Sequence, residues 1–412
     1  MRYERELERS SPHAPTMNHE EIGHPFLAVH RSMGERIHTL LKSNEVLHSH
    51  ISPVEHGDDF IAFPLRSVDF SELLKNEISA ITNQPLRLIK RTPHVMEKVD
   101  PHERIQEVVK HWLKQLAPNE ALADQGAFLD TLPYKWERLG ELILFPSGSF
   151  GQNIWTETSK EEQHNLWGAI ASALNATSVG IQSPIAKDRV RSSQAVLLHG
   201  SSHVNFIDHG IHYEFDACKV MFSSGNVTER RRIGSMDMTG ETIVDAYAGV
   251  GYYSFPMLIN AGAEHVHACE MNPPSIDGLL RGAEANGIAD KITVYPGDNQ
   301  NSLPQLKGIA DRCHLGLLPS SEAVWGMCLQ ALKTKGGWLH VHMNVKEEEI
   351  DDWKANTINQ FQSLSDTMGL GFSIRGDHLE RVKWYAPHVR HVVFDVECRP
   401  YESLPSCCCI IG

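Results

Sequence analysis

The sequence predicts an α/β protein built on a doubly wound, mostly parallel sheet. Three apolar, strand-like runs follow one another in residues 242–299, and a helical run separates each from the next. Each strand-like run ends in a loop that carries an acidic side chain, namely Asp245, Glu270 or Asp298. Alternating strands and helices are typical of parallel sheets, whose ligands bind beyond the carboxyl ends of the strands. We therefore expect a nucleotide-like cofactor at this edge of the sheet.

The rest of the chain divides into regions of different character. In chain order we predict a disordered lead at 1–25, a mixed but mostly helical region at 26–133, a small α+β module at 134–235, a cofactor-binding domain at 236–402 and a flexible tail at 403–412. The lead is polar and rich in Ser, Pro, His and Glu, so it has too little apolar surface to fold. The tail ends like a C-a-a-X box, but Gly412 is not a favoured last residue, so we expect a frayed tail instead.

Periodicity places the main elements before the cofactor domain. The run from Phe26 to Leu47 is helix-like, and residues 59–65 are strand-like. Apolar residues on one face predict a helix that starts at Pro101, and a second helix is predicted from Lys160 to Leu174. The turn at 208–210 lies between two strand-like pieces and predicts a β-hairpin.

Composition narrows the class of protein. Hydrophobic residues make up 41% of the 412 residues and charged residues 22%, as in ordinary globular proteins. No run approaches the roughly 18 apolar residues that a membrane helix needs, and the N-terminus has no apolar signal core. Five of the eight cysteines are scattered singly, which favours reduced thiols in a cytoplasmic protein over disulfides or zinc. Because the net charge is −14, any contact with RNA must come from local basic patches.

The loops after the first three strands suit an adenosine cofactor. Gly249 and Gly251 allow the backbone to bend tightly and approach a ligand closely. Position 254 is Ser, so the third glycine of a dinucleotide-binding loop is missing, which disfavours a nicotinamide oxidoreductase. The carboxylate of Glu270 can accept hydrogen bonds from both ribose hydroxyls, while Asp298 and Asn299 suit the donor and acceptor edge of adenine.

The pattern Asp245-x-x-x-Gly-x-Gly resembles the first motif of the Rossmann-like S-adenosylmethionine-dependent methyltransferase fold. After the fourth strand, methylases that act on amino nitrogens carry Asn/Asp-Pro-Pro-aromatic. Here Gly316 stands near the Asn position and no aromatic residue follows Pro319, so amine methylation is not expected. His340 and His342 on the fifth strand share a face without an evident third ligand, and we expect them to be structural.

Several segments together carry a closer resemblance. They are Met221-Phe-Ser-Ser-Gly-Asn-Val-Thr-Glu-Arg230, Asp245-Ala-Tyr-Ala-Gly-Val-Gly-Tyr-Tyr253, His267-Ala-Cys-Glu-Met-Asn-Pro273, Gly297-Asp-Asn299, Leu315-Gly-Leu-Leu-Pro-Ser-Ser321, Glu380-Arg-Val-Lys-Trp-Tyr-Ala-Pro-His388 and Glu397-Cys-Arg-Pro400. The chain resembles, over residues 134–400, the tRNA wybutosine-synthesizing aminocarboxypropyltransferase family of the protein 2 type. That family is the sister of the tRNA guanine-N1 methyltransferases, from which the Gly-Asp-Asn and Leu-Gly-Leu-Leu-Pro-Ser-Ser segments separate it.

The resemblance implies a reaction and its substrates. S-adenosylmethionine would serve as co-substrate, and no metal is expected. Its 3-amino-3-carboxypropyl group would pass to a carbon of 4-demethylwyosine, beside the anticodon of phenylalanine tRNA, and methylthioadenosine would leave. All three carbons on the sulfonium are activated by the same charge, so the enzyme selects one of them by orientation. We expect a cytoplasmic monomer without a membrane partner.

The resemblance also implies roles for particular residues. Ser223 and Arg230 would hold the amino acid end of the cofactor. Relatives usually carry Lys at the second position, and Arg keeps the charge while its fork suits a carboxylate. Predicted substrate contacts are Gly316, Pro319, Ser320, Arg231 and Arg232. The α+β module at 134–235 is expected to bind the tRNA, and further RNA contacts are predicted at Lys187, Arg189, Arg191 and 381–391. No general base is predicted, although His314 lies near the end of the fourth strand.

Two other functions remain open at this point. The first is a tRNA guanine-N1 methyltransferase of the same architecture. The second is a non-catalytic RNA-binding protein with a relic cofactor fold, which the intact Gly249, Gly251, Glu270 and Asp298 disfavour.

Overall fold

The structure, a computed structural model, describes residues 23–48, 51–57, 59–93, 100–116, 125–151, 158–183, 193–222 and 224–401. Most of the predicted lead, the predicted tail, Ser223 and the patch at 187–191 lie outside these ranges. The chain divides into two compact units, residues 1–100 and 101–412. The region boundaries that the sequence suggests, at 133 and 235, stay predictions.

The first unit contains an antiparallel sheet of four strands in the order β2-β3-β1-β4. Its elements are β1 His24–His30, α1 Gly34–Ser43, β2 Val54–Glu55, β3 Phe60–Pro64, α2 Glu72–Thr82 and β4 Arg87–Arg91. Leu27 and Phe63 from the sheet pack with Ile37 and Leu74 from the helices. The helix predicted from Phe26 is wrong at its start, because β1 pairs with a strand on each side. A short apolar run buried on both faces has no periodicity that separates strand from helix.

The second unit begins with helices packed beside a small sheet. Its elements are α3 Pro101–Leu116, α4 Gln125–Leu129, β5 Glu137–Leu139, β6 Leu142–Phe145, α5 Lys160–Ala173, β7 Ser178–Ile181 and β8 Val196–His199. The helices predicted near 101 and 160 are confirmed. Ser159 and Glu162 form a capping box at the start of α5, since each side chain accepts a hydrogen bond from the other's backbone N–H. The indole of Trp112 in α3 donates to the carbonyl of Glu162 at 2.9 Å, which ties the two helices together.

A β-hairpin joins this small sheet to the larger one. β9 His203–Asp208 and β10 Ile211–Asp216 are antiparallel, as the turn at 208–210 predicts. His209 and Gly210 both have positive φ, the requirement of a two-residue turn of this kind. The hairpin is fastened by Asn286, whose side chain accepts from the N–H of His212 at 2.9 Å and donates to its carbonyl at 2.8 Å.

The larger sheet has seven strands in the order β13-β12-β11-β14-β15-β17-β16. Its strands are β11 Thr242–Asp245, β12 His265–Glu270, β13 Ile292–Pro296, β14 Arg312–Leu315, β15 Gly337–Lys346, β16 Phe372–Ala386 and β17 Val389–Pro400. Its helices are α6 Val227–Gly234, α7 Ser254–Ile259, α8 Pro273–Ala285, α9 Asn299–Ser302, α10 Trp325–Ala331 and α11 Ile350–Thr367.

The first five strands are parallel, so the predicted doubly wound sheet is confirmed. From β11 the chain adds β12 and β13 on one side of the sheet, and it then returns to add β14 and β15 on the other side of β11. The switch point therefore lies between β11 and β14. Ligands bind at that point in sheets of this kind. No helix in the described part of the chain is long and apolar enough to span a membrane.

A buried ion pair connects α6 to β17 of the large sheet. Arg232 contacts both Glu229, which is fully buried, and Asp395 on β17, with a shortest N–O distance of 2.6 Å to the latter. Asp395 also contacts the ring of His340 at 2.6 Å. These contacts hold the pKa of Asp395 below its usual range despite its burial, mainly through His340 and Arg232. Arg232 therefore neutralises two carboxylates that water does not reach.

We expect the Arg232→Met substitution to lower the free energy of unfolding by about 3–5 kcal/mol, because it leaves buried carboxylates without a counter-ion. Urea unfolding measures the loss. Arg281→Met is the matched control, since half-exposed Arg281 contacts Asp277 and Glu214 near solvent. An equally small loss in both variants would contradict the buried role of Arg232.

Candidate active site

A cavity of about 450 Å³ opens at the carboxyl ends of β11 to β14. It brings together residues that the sequence predicts from four separate loops. The predicted residues that line it are Gly249, Glu270, Asp298, Asn299 and Gly316. The structure therefore has a cavity at the edge of the sheet where the sequence predicts a bound ligand.

Glu270 organises the loops around this cavity. One carboxylate oxygen accepts from the N–H of Gly249 at 2.8 Å. The other accepts from the N–H groups of Met271 and Asn272 at 2.9 and 2.7 Å. Burial raises the pKa of Glu270 in spite of these three donors. One side chain thus fixes the loop after β11 to the loop after β12, and its remaining lone pairs lie at the cavity wall.

The backbone conformation of the loop after β11 requires glycine at two positions. Gly249 and Gly251 have φ values of 57° and 91°, in the region that favours glycine. A Cβ atom at Gly251 would lie 2.5 Å from the ring of Phe255. Gly249 lines the cavity, whereas Gly251 shapes the turn behind it.

Asp245 supports the same loop from below. Its side chain is fully buried and is not among the residues that line the cavity. It accepts from the Ser254 hydroxyl at 2.8 Å and from the N–H of Tyr247 at 3.2 Å. Ser254, which stands where a dinucleotide-binding loop has its third glycine, therefore donates a hydrogen bond to this carboxylate. A direct contact of Asp245 with the cofactor stays a prediction.

Asp298 and Asn299 form the wall beyond β13. Asp298 caps α9, because its carboxylate accepts from the N–H of Gln300 at 3.0 Å. The amide of Asn299 donates to the carbonyl of Ala246 at 2.9 Å, and the Asn299 side chain also forms a hydrogen bond with that of Tyr247. Both side chains are thereby held in place, and their contact with adenine stays a prediction.

The loop after β14 supplies the opposite wall. Gly316, Leu317 and Leu318 line the cavity, whereas Pro319 and Ser320 lie beyond its lining. A Cβ atom at Gly316 would lie 2.9 Å from the ring of His314, so the imidazole packs directly beneath this glycine.

Histidines form a buried chain under that loop. The Nε2 atoms of His314 and His342 lie 3.0 Å apart, and Nδ1 of His342 lies 3.0 Å from Nε2 of His391. All three are buried, and burial lowers the pKa of His342 and that of His391, the latter to about 4. His314 therefore lies behind the cavity wall, not in the cavity. In the described ranges no group of three or more His, Cys, Asp or Glu side chains is arranged to hold a metal ion.

The three arginines of α6 have different surroundings. Arg230 is buried, contacts Asp208 at 2.6 Å, and lies over the ring of Phe222. It lines a separate cleft of about 210 Å³, together with exposed Arg231, which donates to His209. Arg232 is occupied by the buried carboxylates described above. The predicted roles of Arg230 and Arg231 stay predictions, while the contacts of Arg232 point to packing.

Sequence reasoning missed several residues of the cavity wall. Met221, Tyr247 and Tyr252 line it, and the hydroxyl of Tyr252 donates to the carbonyl of Met221. The ring of Tyr252 also packs against Phe222, with ring centres 5.0 Å apart. Tyr252 directly follows the glycine turn, and this position could have marked it as a residue of the cavity. Its hydrogen-bond partner Met221 lies 31 residues earlier in the chain, so the sequence does not show that the two meet.

Comparisons with known proteins agree with this geometry. The family model described as the TRM5/TYW2 methyltransferase domain matches residues 205–369. The chain is 40% identical to tRNA wybutosine-synthesizing protein 2/3/4 of Arabidopsis thaliana, over 73% of this chain and 29% of that protein. It is 31% identical to the tRNA wybutosine-synthesizing protein 2 homolog of Rattus norvegicus, over 89% of this chain and 94% of that protein. The chain thus spans less than a third of the plant relative and nearly all of the rat one.

Among solved structures, the chain is similar to P. horikoshii TYW2 in complex with MeSAdo. The TM-score is 0.56 at 25% identity, over 71% of this chain and all of that one. The predicted Rossmann-like fold of S-adenosylmethionine-dependent transferases is confirmed by this likeness.

We expect Glu270→Gln to weaken binding of methylthioadenosine by about 10- to 100-fold, the effect of losing charge-assisted hydrogen bonds. The new amide places an N–H against one of the backbone N–H groups that the carboxylate accepts. Calorimetry measures the dissociation constant, and Glu264→Gln, at an exposed position near β12, is the control. An unchanged dissociation constant in the Glu270 variant would remove this residue from the ligand site.

Proposed function

The chain belongs to the tRNA wybutosine-synthesizing protein 2 family, and from this premise we propose that it is an aminocarboxypropyltransferase acting on tRNA. The acceptor is 4-demethylwyosine beside the anticodon of phenylalanine tRNA, and the donor is S-adenosylmethionine. The observation that carries the proposal is the rat relative, with which the chain shares 31% identity over almost the full length of both proteins.

The reaction exchanges one carbon–sulfur bond for one carbon–carbon bond. A carbon of the tricyclic base attacks the γ-carbon of the 3-amino-3-carboxypropyl group. The sulfonium sulfur keeps the electron pair of the broken bond and becomes the thioether of methylthioadenosine. The attacking carbon then loses its proton, which restores the aromatic ring.

The residues of the main cavity fit the adenosine part of the donor. Glu270 is fixed by three backbone donors and offers carboxylate lone pairs to the ribose hydroxyls. Asp298 and Asn299 lie where the next loop reaches the cavity and suit the adenine edge. With adenosine held in this way, the contacts at the sulfonium end decide which of its carbons faces the open side.

The absence of an aromatic residue after Gly316 supports carbon as the acceptor. Leu317 and Leu318 present an apolar wall at the place where amine methylases hold a planar amine. The side chains of such a wall provide no hydrogen-bond acceptor for an amino group. A large tricyclic base packs favourably against it, since burial of apolar surface stabilises binding.

The proposal includes finer points. The sequence assigns the amino acid end of the donor to Ser223 and Arg230, and RNA contacts to Arg231 and the segment 381–391. In that segment Trp384 and Tyr385 are more than half exposed, and Arg390 lies 3.5 Å from the centre of the Trp384 ring. Exposed aromatic rings beside arginine suit unpaired RNA bases. We also place the protein in the cytoplasm, as a monomer.

A tRNA guanine-N1 methyltransferase is the second candidate, because one family model, the TRM5/TYW2 methyltransferase domain, covers both sister families. Its donor and fold are the same, so binding of S-adenosylmethionine does not separate the two functions.

We expect methylthioadenosine as the nucleoside product when the protein is incubated with S-adenosylmethionine and tRNA that contains 4-demethylwyosine. Chromatography of the products measures it, with tRNA that carries unmodified guanosine beside the anticodon as the control. Adenosylhomocysteine as the sole product would establish the methyltransferase instead.

A further inference from the structure

A line of buried polar side chains runs across five neighbouring strands of the large sheet. Asp245 on β11 is paired in register with His314 on β14, and Lys383 on β16 is paired with His391 on β17. His342 on β15 lies between the two other histidines, with an N–N distance of 3.0 Å to each. The line therefore runs from a carboxylate beside the cofactor loop to an ammonium group on the outer strand.

The three histidines have only two possible hydrogen-bond patterns while they are neutral. A neutral imidazole has one N–H group and one bare nitrogen. Burial favours the neutral form, because it lowers the pKa of His342 and that of His391. Both nitrogens of His342 face another histidine, so it must donate to one neighbour and accept from the other. All N–H groups of the chain therefore point either toward β11 or away from it.

The charges at the two ends favour the same direction. Nδ1 of His314 lies 3.5 Å from a carboxylate oxygen of Asp245, which attracts an N–H and repels a lone pair. Burial lowers the pKa of His391 to about 4, and the nearby ammonium group of Lys383 adds to this effect. The same ammonium group repels an N–H on the end nitrogen of His391, which is buried and makes no hydrogen bond within the described ranges. The N–H groups therefore point toward Asp245.

His314 contacts both loops between which the reaction takes place. Its ring packs beneath Gly316 in the loop after β14, where an added Cβ atom would lie 2.9 Å away. Its carbonyl accepts from the N–H of Ala246 at 3.0 Å, and its ring faces Asp245 at the start of the loop after β11. The orientation of this ring therefore influences how the two loops lie relative to each other.

We propose that His342 is a positioning residue for the transfer reaction, because it donates a hydrogen bond to His314 and thereby turns the remaining N–H of His314 toward Asp245. The inference rests on the proposed function, in which the loop after β11 holds the donor and the loop after β14 receives the acceptor base. His342 is not part of the lining of the cofactor cavity. Its loss changes the distance between donor and acceptor without removing a contact to either of them.

Two substitutions of His342 separate its two hydrogen bonds. The amide of Asn reaches about as far as Nδ1 of histidine, so His342→Asn keeps a partner for His391 and loses the contact with His314. The longer amide of Gln reaches about as far as Nε2, so His342→Gln keeps a donor for His314. Both variants are neutral and polar, which makes them a matched pair. His378→Asn, at a half-exposed position on β16, is the general control.

We expect His342→Asn to lower turnover at saturating substrates by about 10- to 100-fold, because a misplacement of about 1 Å at the reacting atoms has an effect of this size. His342→Gln and the control should keep most of the wild-type turnover. The dissociation constant of methylthioadenosine should stay at its wild-type value in both His342 variants, since the contact of Glu270 with Gly249 is intact. Assays that count every nucleoside product measure turnover, and calorimetry measures binding.

The wild-type protein allows a direct test that needs no substrate. Nitrogen NMR of protein with isotope-labelled histidine rings distinguishes an N–H from a bare nitrogen, and substitution of each histidine assigns its signals. We expect N–H on Nδ1 of His314, and on Nε2 of both His342 and His391.

The opposite pattern, with N–H on Nδ1 of His342 and His391, would overturn the proposal, since the chain would then point away from Asp245. Equal turnover in the Asn and Gln variants, at any level, would also overturn it. So would a loss of methylthioadenosine binding that parallels the loss of turnover, because a general change of shape would then explain both. If the wild-type product proved to be adenosylhomocysteine, the proposed function would fail, while the nitrogen spectrum and the turnover ratio of the two variants would still decide the role of His342.

Discussion

The carboxylate of Glu270 is the constraint on which the site depends. It ties Gly249 in the loop after β11 to Met271 and Asn272 in the loop after β12. The positive φ of Gly249 and the support of Asp245 under the same loop bring the backbone to the place where the carboxylate reaches it. A group fixed by three backbone donors loses little freedom when it binds a ribose, so its orientation is set before the ligand arrives. We propose that this one side chain sets the position of adenosine.

A fixed adenosine turns the choice of reaction into a question of geometry at the sulfonium. The three carbons on the sulfur carry comparable activation, so a few ångströms of placement decide which of them meets the acceptor. Leu317 and Leu318 form an apolar part of the lining of the cofactor cavity. In the proposed function the base packs against these side chains and meets the γ-carbon of the donor there.

Local signals account for what the sequence predicted well. The five parallel strands are apolar runs closed by glycine or acidic loops, and Glu270, Asp298 and Gly249 stand directly at those strand ends. Contacts between distant segments explain what it missed. Arg230 meets Asp208 from the preceding hairpin, and Lys383 meets Gly225 from a strand that lies more than 150 residues later. The sequence does not predict the β16–β17 hairpin, because the outer strand alternates irregularly between buried and exposed residues. It predicts a helix at β1 because that strand is buried on both faces and shows no strand periodicity.

The fate of two isotopic labels tests the central claim most directly. S-adenosylmethionine labelled in its carboxyl group and, separately, in its methyl group would be incubated with the protein and with tRNA containing 4-demethylwyosine. The account predicts that the carboxyl label enters the tRNA and that the methyl label stays with the released nucleoside. Methyl label in the tRNA, with the carboxyl label left in solution, would contradict it.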